Sequence, residues 1–418
     1  MSTNVLTKLD KKKENRYNKV ISFLHKTHNY RYNTIKNRIE NRAKGTSESG
    51  WEVANEVELK GDLSTQAGIE VSKDTLGDMI AYSKCSVHMN PLRDYFSRLQ
   101  DRETSGNIDS IAMYAAFVKL ADLSGSAHDF FVQMVRKWAV SSVKCVMEDG
   151  HFNKRCLVIQ GSQDTYKTSY ARFLVPSALK GYCVENPNLA GGDKDARIAI
   201  ARNLIIILDE LDKYSSTNQA HIKHYITMSE VNERLPYARV ESQFPRVASF
   251  IGTTNKKDFL RDETGSKRFM TFSIGDQVIN PAYRKFDIDD FWSEAVRLYK
   301  SGFDCELTRK ELVGVELLNE EFKQNTSEYE LLRAHFLPSE KAEEDAEFLT
   351  STSILRNLAE VVGPAIKLNA VTLGRALNRE GTGFEKVKRR DGKNNIYGYW
   401  VKRNMYTSST TSHLQVVN

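Results

Sequence analysis

One segment near the middle of the chain limits the possible folds more than any other. From Leu157 to Thr168 it reads Leu-Val-Ile-Gln-Gly-Ser-Gln-Asp-Thr-Tyr-Lys-Thr, which is an apolar run, a glycine, five residues and Lys-Thr. A strand that leads through such a loop into a helix presents free backbone N–H groups and a positive dipole end, which together hold phosphates. The spacing therefore predicts a P-loop in an α/β sheet, with Tyr166 in place of the motif's second glycine.

The polar residues of this loop predict its ligands. We expect Gly161, Lys167, Thr168 and Ser169 to bind nucleotide, with the Lys167 ammonium at the β- and γ-phosphates of ATP. The Thr168 hydroxyl would be a ligand of Mg²⁺, a hard cation that prefers oxygen. ATP and Mg²⁺ are therefore the expected cofactors.

Two further apolar runs end in residues that suit the same chemistry. Leu204–Leu208 is typical of a buried parallel strand, and Asp209 and Glu210 follow it. We predict that Asp209 binds nucleotide-associated Mg²⁺ and that Glu210 activates the attacking water. The second run, Val247–Ile251, leads to Asn255, whose amide would orient that water. Because acids are common at strand ends, the order of the three motifs carries more weight than any one of them.

The sequence around these motifs resembles the virulence-associated protein E (VirE) family, which belongs with the superfamily 3 helicases of viruses, phages and plasmids. The similar stretch runs from Leu157 to Ser273. Asp164 departs from it, because a glycine is common there in the family, so hydrolysis is less secure than binding. Some members share Tyr-Lys-Thr in the P-loop, and the other matching segments are Val231–Arg234, Pro236–Tyr237, Arg246–Asn255, Phe259–Leu260, Asp262, Thr264–Gly265 and Lys267–Phe269.

The resemblance implies both a fold and an activity. The fold is α/β: a P-loop AAA+ core with a parallel sheet, a helical N-terminal region and a C-terminal winged-helix-like domain. The activity is that of an ATP-dependent DNA helicase, which forms a hexameric ring and unwinds single-stranded or forked DNA during replication of a mobile element or phage. A primase would be a separate protein, because the sequence has no primase carboxylate constellation or zinc motif. Two alternatives stay open: an initiator that binds ATP and hydrolyses it weakly, and an ATPase that remodels proteins, for example in phage defence.

The resemblance also implies DNA contacts between the second and third motifs. Leu235–Val240 and Phe244–Val247 flank a polar turn and predict a hairpin. Superfamily 3 enzymes place a DNA-gripping hairpin at this point, which makes Tyr237, Arg239 and Arg246 candidate DNA contacts. For Arg246 the alternative is that it pairs with a carboxylate and braces the core.

After the third motif, a charged loop contains Lys267-Arg268. In the family this position supplies an arginine finger, a guanidinium that stabilises transition-state charge in the neighbouring subunit. Arg268 is therefore a candidate catalytic residue, and Arg261 is the second choice. A solvated turn is the alternative.

The C-terminal third predicts a second DNA-binding element. Ile354–Val362 and Leu373–Arg379 have helical spacing, and Asp391-Gly392 marks the turn of a hairpin. Two helices and a basic hairpin suggest a winged helix, with a solvated hairpin as the alternative. The wing would contact phosphates through Lys388, Arg389 and Arg390.

The N-terminal region is basic and predicted to be helical. Lys8–Lys44 contains twelve Lys or Arg and three acids, interleaved with aromatic residues. This composition suits phosphate contact and base stacking, and it equally suits a solvated helical arm. Farther along, Leu76–Leu99 and Ile108–Met147 show apolar residues at helical spacing.

Length and composition set the general class. A chain of 418 residues exceeds the roughly 250–300 residues at which one core stops growing, so two or three domains are expected. The net charge of +6 permits a nucleic-acid partner. Five scattered cysteines, a polar N-terminus and the lack of a long apolar run predict a cytoplasmic protein without a membrane span. We expect a basic helical region at 1–105, a helical lead-in and AAA+ core at 106–300, a helical linker and winged-helix-like domain at 301–405, and a disordered tail at 406–418.

Overall fold

The N-terminal region is a small α/β unit. The computed structural model describes residues 16–46, 50–81, 85–102, 108–189, 194–233, 242–260, 266–323, 325–363, 366–379, 382–391 and 394–404. A four-stranded sheet in the order β3-β2-β1-β4 packs against three helices, and β1 pairs antiparallel with β2 and parallel with β4. The elements are α1 (16–27), β1 (His28–Asn33), β2 (Arg38–Ala43), β3 (Glu52–Val53), α2 (Glu56–Ala67), α3 (Lys73–Ala81) and β4 (Val87–Met89).

This sheet corrects the helical prediction for the region. Strands β1 and β2 read His-Asn-Tyr-Arg-Tyr-Asn and Arg-Ile-Glu-Asn-Arg-Ala, so they lack the β-branched runs that mark buried strands. The turn between them depends on Asn33, whose side-chain oxygen accepts from the backbone N–H groups of Ile35 at 3.1 Å and Lys36 at 3.0 Å. A side chain that hydrogen-bonds to the backbone two or three residues on stabilises a turn.

The next three helices cover one face of the central sheet. They are α4 (Pro91–Leu99), α5 (Ser110–Ala115) and α6 (Gly125–Met147). The helices confirm the helical spacing of Ile108–Met147, whereas the predicted helical stretch Leu76–Leu99 also contains strand β4. In α6, Trp138 is 1% exposed and its indole N–H donates to the backbone oxygen of Phe250, at 2.8 Å. That bond ties α6 to the centre of the sheet.

The central sheet has five strands and is parallel throughout. Spatially the order is β11-β5-β10-β7-β6, so the strand of the first motif lies between the last strand and the strand of the third motif. This confirms the predicted α/β class with a parallel sheet. The strands and helices between α6 and the C-terminal region are β5 (Cys156–Gly161), α7 (Lys167–Phe173), β6 (Cys183–Glu185), α8 (Lys194–Arg202), β7 (Ile205–Leu208), α9 (Ser216–Thr227), β8 (Glu230–Glu233), β9 (Ser242–Pro245), β10 (Ser249–Thr254), β11 (Phe269–Gly275), α10 (Ile288–Lys300) and α11 (Arg309–Glu320).

A hairpin of β8 and β9 precedes the strand of the third motif. The two strands are antiparallel, with Glu230 opposite Pro245. The sequence predicted a hairpin here but started its first strand at Leu235, whereas the first strand is Glu230–Glu233 and α9 ends at Thr227. Tyr237 and Arg239 lie outside the described residues.

The C-terminal region has its own core. Its elements follow the order helix, two short strands, two helices and a hairpin, and its buried cluster includes Leu332, Leu358, Leu373 and Tyr399. The predicted helices and hairpin are confirmed, and the tail from residue 405 lies outside the described residues. The elements are α12 (Ser327–His335), β12 (Phe336–Pro338), β13 (Glu347–Leu349), α13 (Ser351–Val362), α14 (Ala370–Leu377), β14 (Val387–Asp391) and β15 (Asn394–Arg403).

None of the described helices is long and apolar enough to cross a membrane. Helix α6, with 23 residues, carries Asp129, Arg136, Lys137 and Lys144 along its length. The five cysteines are all unpaired, which agrees with the expected reduced thiols.

Arg246 lies in the core, which corrects its assignment as a DNA contact. It is 1% exposed, and its Nη1 donates to the backbone oxygen of Asn153 at 2.9 Å. Its guanidinium carbon lies 5.3 Å from the ring centre of Phe250 and 5.8 Å from that of Phe152. Burial lowers the pKa of Arg246 to about 10. Among the described residues a carbonyl and two rings, rather than a carboxylate, contact this cation.

We expect Arg246→Ala to destabilise the protein and to leave unchanged any affinity for DNA that the parent has. The substitution removes a buried side chain and leaves the Asn153 carbonyl without this donor, which together cost about 2–4 kcal/mol. A lower midpoint of denaturant unfolding would show the loss, and DNA affinity measured well below that midpoint should match the parent. A variant with unchanged stability and weakened DNA binding would contradict the core position.

Candidate nucleotide site

The three motifs converge at one edge of the central sheet. Strand β10 pairs with β5 on one side and β7 on the other, and Gly252 lies opposite both Val158 and Leu208. Since the strands are parallel, the P-loop, Asp209 and Asn255 all follow carboxyl ends at that edge. In open α/β sheets this edge is where ligands bind.

Lys167 is folded back over the P-loop. Its side chain is buried, and Nζ donates to the Gly161 oxygen at 3.0 Å, the Ser162 oxygen at 2.6 Å and Thr165 Oγ1 at 3.1 Å. Burial lowers the pKa of Lys167, and the carboxylates of Asp209, Asp164 and Asp212 act in the opposite direction. The ammonium thus lies within the loop, surrounded by the backbone that would hold phosphates.

Two residues of the loop have left-handed backbone conformations. Asp164 has φ +61° and Tyr166 has φ +67°, in the region that glycine adopts most readily. Tyr166 precedes the first residue of α7, where the usual motif has glycine, and its side chain is 41% exposed. The guanidinium carbon of Arg284 lies 5.0 Å from the Tyr166 ring centre. The loop therefore keeps a glycine-like backbone while its tyrosine ring packs under a cation.

Gly161 is required for space rather than for its φ angle. A Cβ atom added there would lie 2.3 Å from Ile274 Cγ1 and 2.9 Å from the backbone oxygen of Gly275. The same Gly275 oxygen accepts from the backbone N–H of Ser162 at 2.9 Å. Strand β11 thus fixes the start of the P-loop.

Thr168 and Asp209 form the part of the site that suits a metal ion. Thr168 Oγ1 donates to Asp209 Oδ1 at 2.7 Å, and the hydroxyl of Thr253 donates to the same oxygen. The backbone N–H of Asp209 donates to Asn186 Oδ1 at 2.8 Å. A hydroxyl and a carboxylate beside a phosphate loop are oxygen ligands of the kind that Mg²⁺ takes with nucleotides. The donor set therefore fits the expected ion. Ser169 lies one residue farther along α7, on the wall of a neighbouring pocket.

Glu210 and Asn255 flank this centre. Glu210 has φ +57° and is half-buried, and its carboxylate pairs with Lys213. Asn255 is exposed, and its backbone N–H donates to Asp212 Oδ1 at 3.4 Å. Thr254 Oγ1 donates to the same Asp212 oxygen at 3.0 Å.

Sequence reasoning missed three contributors to the site. Thr253, Asp212 and Asn186 all bond to residues of the predicted motifs, as described above. The pair Thr253-Thr254 at the end of an apolar run was a readable signal, because hydroxyls at the carboxyl end of a parallel strand lie beside the polar residues that follow the neighbouring strands. Asn186 had no such signal, since it reaches Asp209 only through the pairing of β6 with β7.

Arg268 lies at the amino end of the central strands, whereas the three motifs lie at the carboxyl end. It immediately precedes β11, and the first residue of β11, Phe269, is opposite Cys156 at the start of β5. At about 3.3 Å per residue, roughly 20 Å of strand separates it from the P-loop of its own chain. Its Nε is buried and has no hydrogen-bond partner within the described ranges. Arg268 is therefore placed away from its own nucleotide site, and Arg261 lies outside the described residues.

The predicted wing residues are exposed on a hairpin. Strand β14 pairs antiparallel with β15, with Lys388 opposite Tyr397. The side chains of Lys388, Arg389 and Arg390 all reach solvent, and the Arg389 guanidinium carbon lies 5.5 Å from the Phe348 ring centre. The three cations are thus exposed on one strand, where an anionic ligand could reach them.

Two solved structures with low sequence identity align with most of the chain. The apo structure of NrS-1 C terminal region (305-718) has 10% sequence identity and a TM-score of 0.48, over 91% of this chain and 97% of that one. The A form apo structure of NrS-1 C terminal region-CTR has 10% identity and a TM-score of 0.46, over 92% and 98%. None of the curated proteins matches. A family model described as the virulence-associated protein E-like domain matches residues 109–324. Since that match spans more than half of the 418 residues, the chain belongs to the virulence-associated protein E-like domain family.

Proposed function

We propose that the protein is an ATP-driven DNA helicase or translocase of the superfamily 3 type, which acts in the replication of a phage or mobile element. The observation that carries the proposal is the contact of 2.7 Å between Thr168 Oγ1 and Asp209 Oδ1, beside the buried ammonium of Lys167. A phosphate loop, a hydroxyl and a strand-end carboxylate at one sheet edge are the parts that phosphoryl transfer requires.

The chain's residues divide the work of hydrolysis as follows. Lys167 turns from the loop carbonyls to the β- and γ-phosphates of ATP, and Asn255 orients a water molecule. Glu210 takes a proton as that water attacks the γ-phosphorus and the bond to the bridging oxygen of ADP breaks. Thr168 and Asp209 would hold Mg²⁺, which neutralises phosphate charge when it is bound.

The assembly and its partners belong to the same proposal. We infer an AAA+ ring in which each Arg268 serves the next subunit, because Arg268 lies away from the nucleotide site of its own chain. The C-terminal domain would act as a winged helix on single-stranded or forked DNA in the cytoplasm, with a separate primase. The exposed wing cations support this reading, and so does the order of elements, which is a helix, two short strands, two helices and a hairpin.

Steady-state ATPase activity, with and without single-stranded DNA, tests the proposal when combined with strand displacement on a fork and with sizing. We expect hydrolysis that DNA stimulates, displacement that requires ATP, and a larger assembly with nucleotide. Hydrolysis that DNA does not affect, without displacement, would contradict a helicase and favour a protein-remodelling ATPase.

A second candidate is an ATP-binding initiator with weak hydrolysis. The altered P-loop residues Asp164 and Tyr166 favour it, because glycine is usual at these positions in the family or in the motif. Tight ATP binding with negligible turnover, whether or not DNA is present, would select this candidate.

We expect charge reversal of the wing, Lys388→Glu with Arg389→Glu and Arg390→Glu, to weaken DNA binding strongly. Each lost phosphate contact should flatten the plot of log affinity against log salt by about 0.7–0.9, so three contacts give a total of about 2–3. Fluorescence anisotropy over a salt series measures both quantities. The matched control reverses the exposed residues Lys60, Lys73 and Lys119, which gives the same change in net charge. Equal losses of DNA affinity in the two variants would favour the alternative that this element is a solvated hairpin without a role in DNA binding.

A further inference from the structure

A deep cleft separates the N-terminal sheet from the P-loop domain. One wall comes from β1, β2 and Trp51, and the other comes from α4 and the segment Ser177–Tyr182, which links α7 to β6. The cleft has a volume of about 690 Å³, within the roughly 300–1,000 Å³ typical of ligand sites. None of the predicted nucleotide or wing residues lines it.

Positive charge is in excess in this cleft. Its lining carries three carboxylates, Glu40, Asp94 and Asp289, and twice as many cations. Two of the cations are matched by acids, since Arg98 pairs with Asp94, and Arg102 contacts Asp287, Asp289 and Asp290. The remaining cations are Arg31, Lys36, Arg38 and Lys180.

Two of these four cations share one carboxylate. Glu40 is 3% exposed and contacts Arg31 at 2.7 Å and Arg38 at 2.9 Å. Lys36 donates instead to the Gly181 carbonyl, and its Nζ lies 4.6 Å from the Tyr182 ring centre. The pKa of Lys36 is lowered by burial and then by Arg38, against the pull of Glu40. Arg38 and burial also lower the pKa of Arg202. The cluster is therefore short of negative charge, which an anionic ligand would supply.

The two walls are joined by a buried polar contact. Asn33 is fully buried, and its Nδ2 donates to Tyr182 Oη at 2.6 Å and to Glu40 Oε1 at 2.9 Å. The same side chain caps the turn that carries Lys36. The cations therefore have fixed positions relative to the opposite wall, so that a ligand would meet a preformed site.

An aromatic platform lies beside the cations. Trp51 is half-buried, and the guanidinium carbons of Arg31 and Arg42 lie 4.4 Å and 4.9 Å from its ring centre. Bases stack on aromatic rings and on arginine planes without regard to sequence, while lysine and arginine follow the phosphates. The cleft offers both within one site.

We propose that this cleft binds single-stranded DNA, with the phosphates at Lys36, Arg38 and Lys180 and a base stacked at Trp51. The proposal takes DNA as the polyanion from the proposed function, but it does not depend on hydrolysis. A strand fits better than a free nucleotide because the cations lie on both walls. The N-terminus of α4 also lies in the cleft, but it is not counted among the phosphate contacts because Asn90 caps it. Asn90 Oδ1 accepts from Leu92 N at 3.0 Å and from Arg93 N at 3.1 Å.

Binding of fluorescent oligo(dT) to the full chain, without ATP, tests this site. We expect Lys36→Gln with Lys180→Gln to raise the dissociation constant at least tenfold and to flatten the salt slope by about 1.4, because two single-strand phosphate contacts are lost. The control Lys60→Gln with Lys73→Gln, on exposed positions of α2 and α3, should bind like the parent. Equal affinity for the parent and the cleft variant, both folded by circular dichroism, would overturn the proposal.

Tryptophan fluorescence gives a direct readout of stacking. Of the four tryptophans, Trp138 and Trp292 are buried, and Trp400 lies on β15 of the wing, so the measurement is made in a Trp400→Phe background. In that background oligo(dT) should quench Trp51, and the further change Trp51→Phe should remove most of the quenching. Quenching that persists in Trp51→Phe would contradict stacking there. Thymidine triphosphate at equal phosphate concentration should not displace the oligonucleotide. Equal competition would make the cleft a mononucleotide site and would overturn the proposal that it binds a DNA strand. Because no step needs ATP, a protein that fails to hydrolyse ATP can still confirm the cleft, and an active ATPase can still refute it.

Discussion

Lys167→Ala should abolish ATP hydrolysis and weaken ATP binding by one to two orders of magnitude. The substitution removes the cation that the P-loop surrounds, and a hydrogen bond to a charged group contributes about 1.5–3 kcal/mol. Hydrolysis should fall further than binding, because charge on the transferring phosphoryl group is stabilised mainly in the transition state. Calorimetric titration with ATP measures the binding, and phosphate release measures the turnover.

Two matched variants make this result specific. Glu210→Gln should keep ATP binding while turnover stops, because the amide cannot take the proton from water. Lys119→Ala, at an exposed position outside the P-loop, should leave both binding and turnover unchanged. Full ATPase activity in Lys167→Ala would mean that the P-loop assignment is wrong.

Arg268→Ala should reduce turnover by about 10³–10⁵-fold, the range found for arginine fingers, while ATP binding persists. The reason is the position of Arg268, which precedes β11 at the sheet edge opposite its own P-loop. A guanidinium there can stabilise transition-state charge only in another subunit. Single-turnover hydrolysis and ATP titration of the same sample separate the two effects.

Mixing the two inactive variants tests whether the finger acts between subunits. Arg268→Ala subunits keep Lys167, and Lys167→Ala subunits keep Arg268, so a mixed ring contains some interfaces with both groups intact. We expect partial recovery of ATPase activity. If sizing shows co-assembly but activity stays absent, Arg268 does not act in trans, and Arg261 should be tested in the same way.

The convergence of the three motifs at one end of the sheet could be predicted from the sequence because its signals are local, whereas nucleotide binding there stays a prediction. The P-loop, the run before Asp209 and the run before Asn255 each combine a buried strand with the polar residue that follows it, and parallel pairing then brings those ends together. Family membership followed from the same stretch, and the family model confirms it. The helicase activity stays a prediction.

Other features depend on contacts that no short segment encodes. Arg246 is a surface-type residue by composition, yet it is buried beside Phe250 and Asn153, which are distant from each other in the chain. The N-terminal sheet has polar strands whose turn depends on Asn33, and that side chain also reaches Tyr182, 149 residues farther along. Such pairings follow from tertiary packing, which can override local propensity.

Strand β11 has a consequence for timing in a ring. Its last residue, Gly275, binds the first N–H of the P-loop, and its first residue follows Arg268. The strand pairs with β5 from Phe269 to Ser273 and, after a register shift, again at Gly275, so a displacement at one end would be transmitted to the other. If Arg268 serves the next subunit, a subunit that loads or releases phosphate would shift the finger that it presents to its neighbour. Successive subunits would then hydrolyse ATP in order, and the nucleotide state of each subunit would set the time at which the next one acts.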